Sequence, residues 1–337
     1  MAGSMARATP GPRIGSLCTG YGGLDMAVQR VFGGTTAWVS DIDPGACRII
    51  DHRMPGVPNI GDLTTAPWSD LEPVDIVTGG YPCQPFSHAG LRKGTDDERH
   101  IWPHIAHALG VLRPHYAVFE NVAGHLRRGF DTVLADLASL GFDVEWVCLR
   151  ASEVGAPHPR ERLIILATAQ DADREPGEQR RQPAPGQAQG REARADAGGR
   201  GGAPAAHTSR SGLPRHSQLP TGRDALRPGV RIDADGRDPA VPALPDEVWG
   251  RYLPAIRRWE AVTSRPAPRA IGVRGRLSPA FVEWMMGLPA GHVTEVPGLS
   301  GPAQLKALGN GVVPRQAAAA LEMLLARSMA RSAILAA

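Results

Sequence analysis

A mixed α/β fold built on a doubly wound, mostly parallel sheet is predicted by three features of the sequence. Short apolar runs alternate with helix-like segments through the first 170 residues. Four of those runs end in glycine-rich or chemically capable residues. The chain, at 337 residues, is long enough for a large main core and a second, smaller domain.

The apolar runs are residues 14–17, 37–40, 74–78, 116–119, 144–149 and 163–167, and residues 24–32, 101–112 and 130–140 read as helices among them. In an open parallel sheet, ligands bind beyond the carboxyl ends of the strands, so the residues just after each run matter most. "CTGYGG" comes after the first, "DID" after the second, "GGYPCQP" after the third and "ENV" after the fourth. Residues 171 to about 245 are different in kind, with no Phe, Trp or Tyr from 147 through 248. Such a stretch buries too little apolar surface to offset its ordering entropy, and reads as a largely disordered insertion. Order is expected to resume near Trp249. The segment 249–262 has helical apolar spacing. A capped helix comes next, with Ser278 as N-cap, Pro279 in the first position and a stop at Gly287 and Pro289, and residues 314–337 form a strong final helix. Three regions result: a catalytic domain over 1–170, a recognition region over 171–272 containing the insertion, and a C-terminal segment over 273–337 that returns to the first domain.

Composition narrows the function classes. The net charge of +3 permits nucleic acid as a partner without requiring it. Cys18, Cys47, Cys83 and Cys148 are far apart and form no C-x-x-C pair, which argues against a disulfide framework and a zinc site and favours a reduced, cytosolic setting. No apolar run is long enough to span a membrane, and the start has no apolar signal region. His100, His104 and His107 share one helical face, but Pro103 lies among them and no fourth ligand stands at a telling spacing, so no metal is expected.

The candidate chemistry lies at the strand ends. In "CTGYGGLD", Gly20, Gly22 and Gly23 close a strand and open a helix, and Asp41 comes after Gly20 at a spacing that suits a carboxylate receiving ribose hydroxyls. Asp25 stands where a nicotinamide site would prefer a third glycine, so a nucleoside without a pyrophosphate, such as S-adenosylmethionine, fits better; a plain tight turn is the simpler reading. Asp62, in "GDLT", offers a carboxylate to an adenine amine, or is a surface loop residue. Cys83 sits between prolines in a loop at the ligand edge, where a thiol would be held in one place and where positive neighbours would favour the thiolate; a small buried hydrophobe is the plainer alternative. Glu120 ends an apolar strand, where poor solvation raises a carboxyl pKa as a general acid needs, or where it is merely salt-bridged. Arg160 and Arg162 alternate on one strand face, either clamping an anion or carbonyl oxygen or simply facing solvent.

Together the segments "SLCTGYGGLDMA", "DID", "GDLT", "GGYPCQPFS", "ENV", "PHPRERLIIL", "RLSPAFVEWMMGLP" and "QLKALGNGVVP" resemble the DNA cytosine-5 methyltransferase family, in the family's order and over most of the chain outside 170–270. The resemblance implies a Rossmann-like sheet binding S-adenosylmethionine beside a small irregular target-recognition domain. It implies an enzyme that methylates carbon 5 of cytosine in a specific duplex sequence, as in restriction–modification, after flipping the base out of the helix. Cys83 would attack carbon 6, Glu120 would bond the N3 side of the ring, and Arg162 would hold the base carbonyl with Arg160 and Asn121 in support. The cofactor would meet Thr19, Tyr21, Gly22, Gly23, Asp41, Ile42, Asp62, Pro82 and Asn310. Gln84, Ser87 and Arg99 would touch DNA from the loop that carries Cys83. Arg251, Arg257 and Arg258 are the basic cluster expected to face DNA from the recognition region. The chain departs from the family at Cys18, where an aromatic residue is usual near the adenine, and at His158, where glutamine is usual. A cytoplasmic monomer acting on double-stranded DNA is the resulting expectation. An RNA cytosine-5 methyltransferase and a catalytically idle DNA-binding homologue are the alternatives.

Overall fold

A computed structural model of the chain describes residues 11–82, 101–170, 245–272 and 275–335, with side chains as far as Arg331. The predicted insertion, and Cys83, Gln84, Ser87, Arg99 and His100, lie outside the described residues. All described residues fall in one compact unit.

Six strands form one sheet: β1 (Arg13–Leu17), β2 (Thr35–Ser40), β3 (Ile76–Gly79), β4 (Tyr116–Val122), β5 (Phe142–Arg150) and β6 (Glu161–Ala169), in the order β2-β1-β3-β4-β6-β5. β1 pairs in parallel with β2 and β3, and β3 with β4, whereas β6 runs antiparallel to both β4 and β5. Each parallel crossover carries helix: α1 (Gly23–Phe32) after β1, α2 (Pro44–Arg53) after β2, and α3 (Trp102–Leu112) after β3. α4 (Phe130–Ser139) links β4 to β5. Only residues 151–160 join β5 to β6, too short a connection for a helical crossover, so this pair closes antiparallel.

Side-chain alternation sorts the two faces. Leu17, Val77, Phe119, Leu163 and Ile165 pack with Ile105, Leu109, Val133 and Leu137 of α3 and α4. Their strand neighbours Ile14, Ile76, Val118, Ile164 and Leu166 pack against α1 and the final helix α8 (Pro314–Leu335), through Leu24, Val28, Leu321 and Leu324. Gly15 has its own reason to lack a side chain, because a Cβ there would enter the Trp38 ring.

A third apolar cluster lies outside the sheet. It joins Tyr21 and Ile49 to Trp249, Ile256 and Trp259, of which the last two belong to α5 (Leu253–Thr263). Phe281 and Trp284 of α6 (Pro279–Met285) complete it, together with Leu308 of α7 (Gly301–Asn310). The expected cap of α6 is present: the Ser278 hydroxyl accepts from Phe281 N at 3.4 Å, Pro279 opens the helix, and Gly287 at φ 71° comes just past its end.

Two local differences from the sequence reading bear on the site. β4 continues past the apolar run to Val122, because β6 supplies ladder partners as far as the Val122↔Arg162 pair, so Glu120 and Asn121 lie within the strand rather than at its end. Arg160 precedes β6, leaving Arg162 alone of the two on the strand itself.

Candidate active site

The carboxyl ends of β1, β2, β3 and β4 and the amino end of β6 share one edge of the sheet, and the order of the strands reverses between the parallel neighbours β1 and β3, which leaves a crevice there. The β1–α1 turn forms its floor. Cys18, Gly20 and Gly22 all take positive φ, at 50°, 60° and 80°. Glycine adopts that conformation without strain, whereas Cys18 bears a cost of about 1 kcal/mol that the surrounding packing must offset. Burial and the neighbouring Asp41 push the Cys18 thiol up to about 12, so it stays protonated and unreactive.

Thr19 is buried, and its hydroxyl lies 2.9 Å from Ser16 Oγ. Tyr21 is turned inward: its hydroxyl donates to the Val312 carbonyl at 2.6 Å, and its own carbonyl is bonded to His292 Nε2 at 2.8 Å. Close packing explains two glycines there. A Cβ on Gly311 would fall inside the Tyr21 ring, and one on Gly23 would meet the Val312 carbonyl. The glycine turn and the C-terminal segment before α8 are thus locked together.

Beyond β2, the Asp41 carboxylate accepts from Gly20 N at 2.8 Å and from Asp43 N at 2.9 Å, and each oxygen retains acceptor capacity. The next residue, Ile42, is 68% exposed, an apolar surface standing free beside that carboxylate. Asp62 is exposed, and the Thr64 N–H bonded to it at 2.8 Å holds its carboxyl below the usual range. Asn59 was not legible as a site residue. Its amide exchanges hydrogen bonds with the Asp41 backbone, both at 3.1 Å, and accepts from Gly61 N at 3.0 Å, so it sets the Asp41 and Asp62 loops together. Its single sequence signal is an isolated Asn after "PGVP" between two strand patterns.

Gly80 closes the gap between β1 and β4. A Cβ built on it would lie 3.8 Å from Glu120 Oε2 and 3.9 Å from the Cys18 carbonyl, so its bare backbone lines the space between the glycine turn and the acid. Glu120 is 7% exposed, and its Oε1 pairs with Arg162 Nε at 2.8 Å. Burial nevertheless raises its carboxyl pKa, outweighing the pull of Arg162 and Arg160. Arg162 also donates from Nη1 to the Glu161 carbonyl at 2.8 Å. Arg160 points elsewhere, donating to the Gly309 and Gly311 carbonyls at 3.0 and 2.7 Å and so clamping the turn that carries the exposed Asn310. Its buried Nε has no partner among the described residues. Asn121 is buried and donates to the Tyr81 carbonyl at 3.2 Å. His158 meets the Met285 carbonyl at 3.1 Å. A further buried acid, Asp25, lies beneath the turn, bonded by Ser16 Oγ at 2.9 Å and Thr78 Oγ1 at 2.6 Å, with a pKa raised by burial. It braces β1 against β3.

The model of the C-5 cytosine-specific DNA methylase family matches residues 13–198, more than half of the chain. The chain belongs to that family. Among its relatives, Type II methyltransferase M.NlaX of Neisseria lactamica is 32% identical over 160 residues, covering 46% of this chain and 51% of that protein. Type II methyltransferase M.NgoMIV of Neisseria gonorrhoeae is 30% identical over 156 residues, covering 45% and 50%. The chain therefore spans about half the length of these two relatives. The solved structure of the S. pombe Dnmt2 methyltransferase shares the fold, at a TM-score of 0.57 and 15% identity over 94% of this chain and 99% of that one. A putative DNA modification methyltransferase encoded within an E. coli prophage does so at a TM-score of 0.54 and 17% identity, over 93% and 99%.

The remaining candidates lie in and just before α5, Arg251 in the 3₁₀ turn Gly250–Tyr252 and Arg257 and Arg258 on the helix. Arg251 is exposed, with its Nη2 on the Tyr252 hydroxyl at 2.9 Å and its guanidinium 5.0 Å from the ring centre. Arg257 is held by Asp246 and by Glu260, and Arg258 Nε donates to the Gly155 carbonyl at 3.3 Å. Among the described residues no cluster of His, Cys, Asp and Glu is placed to hold a metal, and His104 and His107 are both exposed. No helix among them is long and apolar enough to cross a membrane.

Proposed function

We propose that this chain methylates carbon 5 of cytosine in duplex DNA, using S-adenosylmethionine and a covalent bond from Cys83 to carbon 6. The observation that carries the reading is the buried Glu120–Arg162 pair facing Gly80, three residues before Cys83. Family membership supports the reaction class.

The crevice suits a nucleoside. Ile42 offers an exposed apolar face, Asp41 a carboxylate preset by two backbone N–H groups, and Asp62 a solvent-facing acceptor. S-adenosylmethionine, when bound, supplies an electrophilic methyl group. Thr19, Gly22, Gly23, Pro82 and Asn310 complete the proposed cofactor contacts, with Tyr21 anchoring the turn from within.

Carbon 5 of cytosine is a weak nucleophile. When the Cys83 thiolate forms its bond to carbon 6, the ring electron pair moves toward N3 and carbon 5 becomes nucleophilic. Glu120, whose carboxyl pKa burial raises, would hydrogen-bond the N3 side of the ring and stabilise the charge that addition creates. Arg162 retains N–H donors beyond those on Glu120 and the Glu161 carbonyl, and these hold the base carbonyl oxygen. Once carbon 5 is methylated, loss of its proton and cleavage of the sulfur–carbon 6 bond return the thiolate and restore the aromatic ring. The base must leave the duplex for any of this, because its faces are stacked. Gln84, Ser87 and Arg99 would contact the DNA from the segment that carries Cys83. Within 171–272, Arg251 and Arg258 present exposed guanidinium groups to a phosphate backbone, while Arg257 would have to leave two carboxylates to do so. The chain would act as a monomer in the cytoplasm, in a restriction–modification setting.

Bisulfite sequencing of DNA from cells expressing the chain gives activity and target together. Protected cytosines in one sequence context support the reading. Uniform conversion with folded protein present, or methyl transfer to transfer RNA alone in a parallel tritium assay, overturns it.

A further inference from the structure

Tyr81 is held from both of its ends. Its hydroxyl lies 2.9 Å from His125 Nε2, and its carbonyl accepts from Asn121 Nδ2 at 3.2 Å. Both holders come from one short stretch, since Asn121 is in β4 and His125 in the 3₁₀ turn Ala123–Arg127 directly after it. Asn121 is fixed in turn by accepting from Val122 N at 2.9 Å. The Tyr81 ring is buried edge-on to Phe119 and to His125, with centroids 5.9 and 5.6 Å away, and His125 meets Phe130 edge-on at 5.8 Å. Trp102, at the start of α3, packs on the same ring at 5.3 Å. Tyr81 therefore sits where the chain leaves β3 toward Cys83 and where it returns to α3. Burial lowers the pKa of His125 and keeps its ring neutral, so it meets the phenol as a fixed hydrogen-bond partner rather than as a charge.

A packed aromatic ring alone would hold this position by shape. The two directional bonds add something shape does not: they fix the ring's rotation and the peptide plane that leads into Pro82, whose own φ is set by its ring. Small errors in placing a nucleophile are costly, because about 1 Å of misplacement lowers rates by about a hundredfold.

We propose that Tyr81 and His125 are positioning residues that fix the backbone at Tyr81–Pro82 and thereby present the Cys83 sulfur to carbon 6 in one orientation. The proposal rests on the reading of Cys83 as nucleophile. It assigns the couple no contact with DNA or cofactor.

The test compares Tyr81→Phe, His125→Gln and the double variant Tyr81→Phe/His125→Phe with the wild-type full chain. The first removes only the phenol oxygen. His125→Gln keeps an amide able to bond it. The double variant replaces both partners by apolar groups, which avoids an unsatisfied buried polar atom and protects the fold. Four quantities are read: kcat for methyl transfer to random-sequence duplex DNA, the rate of covalent adduct formation with the same duplex made with 5-fluorocytosine, KM for the duplex, and Kd for S-adenosylmethionine. For Tyr81→Phe, kcat and the adduct rate fall about tenfold together, while KM and Kd stay within about twofold. His125→Gln recovers most of the rate. The double variant loses about the same tenfold as the single one, because one interaction is removed in both. An unchanged kcat in folded Tyr81→Phe, losses that multiply in the double variant, or a Kd that weakens in step with kcat overturns the positioning role. Absence of transfer and of adduct in the wild type itself removes the functional reading first, and the two failures are told apart by that control.

Discussion

The Glu120 carboxylate on β4 and the Arg162 guanidinium on β6 meet at 2.8 Å across an antiparallel ladder whose direct partner for Arg162 is Val122. The pair is diagonal, buried at the edge where the parallel strands end, and next to the backbone of Gly80. Removing one member leaves the other poorly compensated. Arg162→Ala is expected to lower kcat for methyl transfer by about 10²–10³-fold, the usual effect of losing a preorganised donor. Arg162→Lys should recover little, since an ammonium cannot serve the carboxylate and a base carbonyl with a planar fork. Steady-state kinetics on duplex DNA check both; full activity in Arg162→Ala would contradict the assigned role.

The raised pKa of Glu120 also has a consequence for stability. A group shifted upward contributes stability that is fully present below its unfolded value of 4.5 and is lost as pH rises through its folded value. Glu120→Gln carries no charge at any pH. Its melting temperature should therefore gain on the wild type as pH rises from 4.5 through the folded value. Thermal denaturation at several pH values measures this, and a difference that does not change with pH would show that burial does not dominate at this site.

Much of this arrangement was legible in the sequence, and the reasons differ by element. The strands of the parallel half announce themselves as apolar runs because both of their faces are covered. The glycine turn, Asp41, Glu120 and the two arginines were legible because each ends or begins a strand pattern. The inward turn of Tyr21, the role of Arg160 in clamping the Gly309–Gly311 carbonyls, and the work of Asn59 were not, because each depends on a partner distant in the chain: Tyr21 and Val312 are 291 residues apart, and Arg160 and Gly311 are 151 apart. α2 and α7 were also missed. Pattern alone did not reveal them, although each has a polar N-cap and a proline in its first turn, Asp43–Pro44 for α2 and Ser300 with Pro302 for α7.

Glu283 was passed over for the same reason. It is buried in α6 and accepts from Gly291 N, Val293 N, Thr294 N and Thr294 Oγ1 at 2.8, 2.6, 3.0 and 2.9 Å. Glu283→Gln replaces an acceptor oxygen by an N–H group facing donors, and is expected to cost about 2–4 kcal/mol. Urea denaturation should show it as a lower midpoint at unchanged slope. A loss under about 0.5 kcal/mol would mean that the loop after α6 is held by its apolar contacts alone.

Asp43 combines two roles that substitution separates. Its side chain caps α2 by accepting from Gly45 N and Ala46 N at 3.0 and 3.2 Å, and it pairs with Lys306 of α7. Asp43→Ala should cost about 1 kcal/mol. Asp43→Asn keeps the cap and should cost less, because an ion pair this exposed contributes under about 1 kcal/mol. The Lys306 contact and the cap hold the Asp43 carboxyl below its usual value of 3.8, so this contribution is present above that value and fades as pH falls through the folded one. Equal melting temperatures for Asp43→Ala and wild type at neutral pH would refute the cap.

Covalent capture of a cytosine analogue tests the central claim most directly. Duplex DNA of random sequence made with 5-fluorocytosine, incubated with the chain and S-adenosylmethionine, should give a denaturation-resistant adduct, because the fluorine at carbon 5 blocks release of the enzyme. Peptide mapping should place that adduct on Cys83, and Cys83→Ala should give none while still binding S-adenosylmethionine. An adduct on another residue, or methyl transfer that persists in Cys83→Ala, would contradict the account.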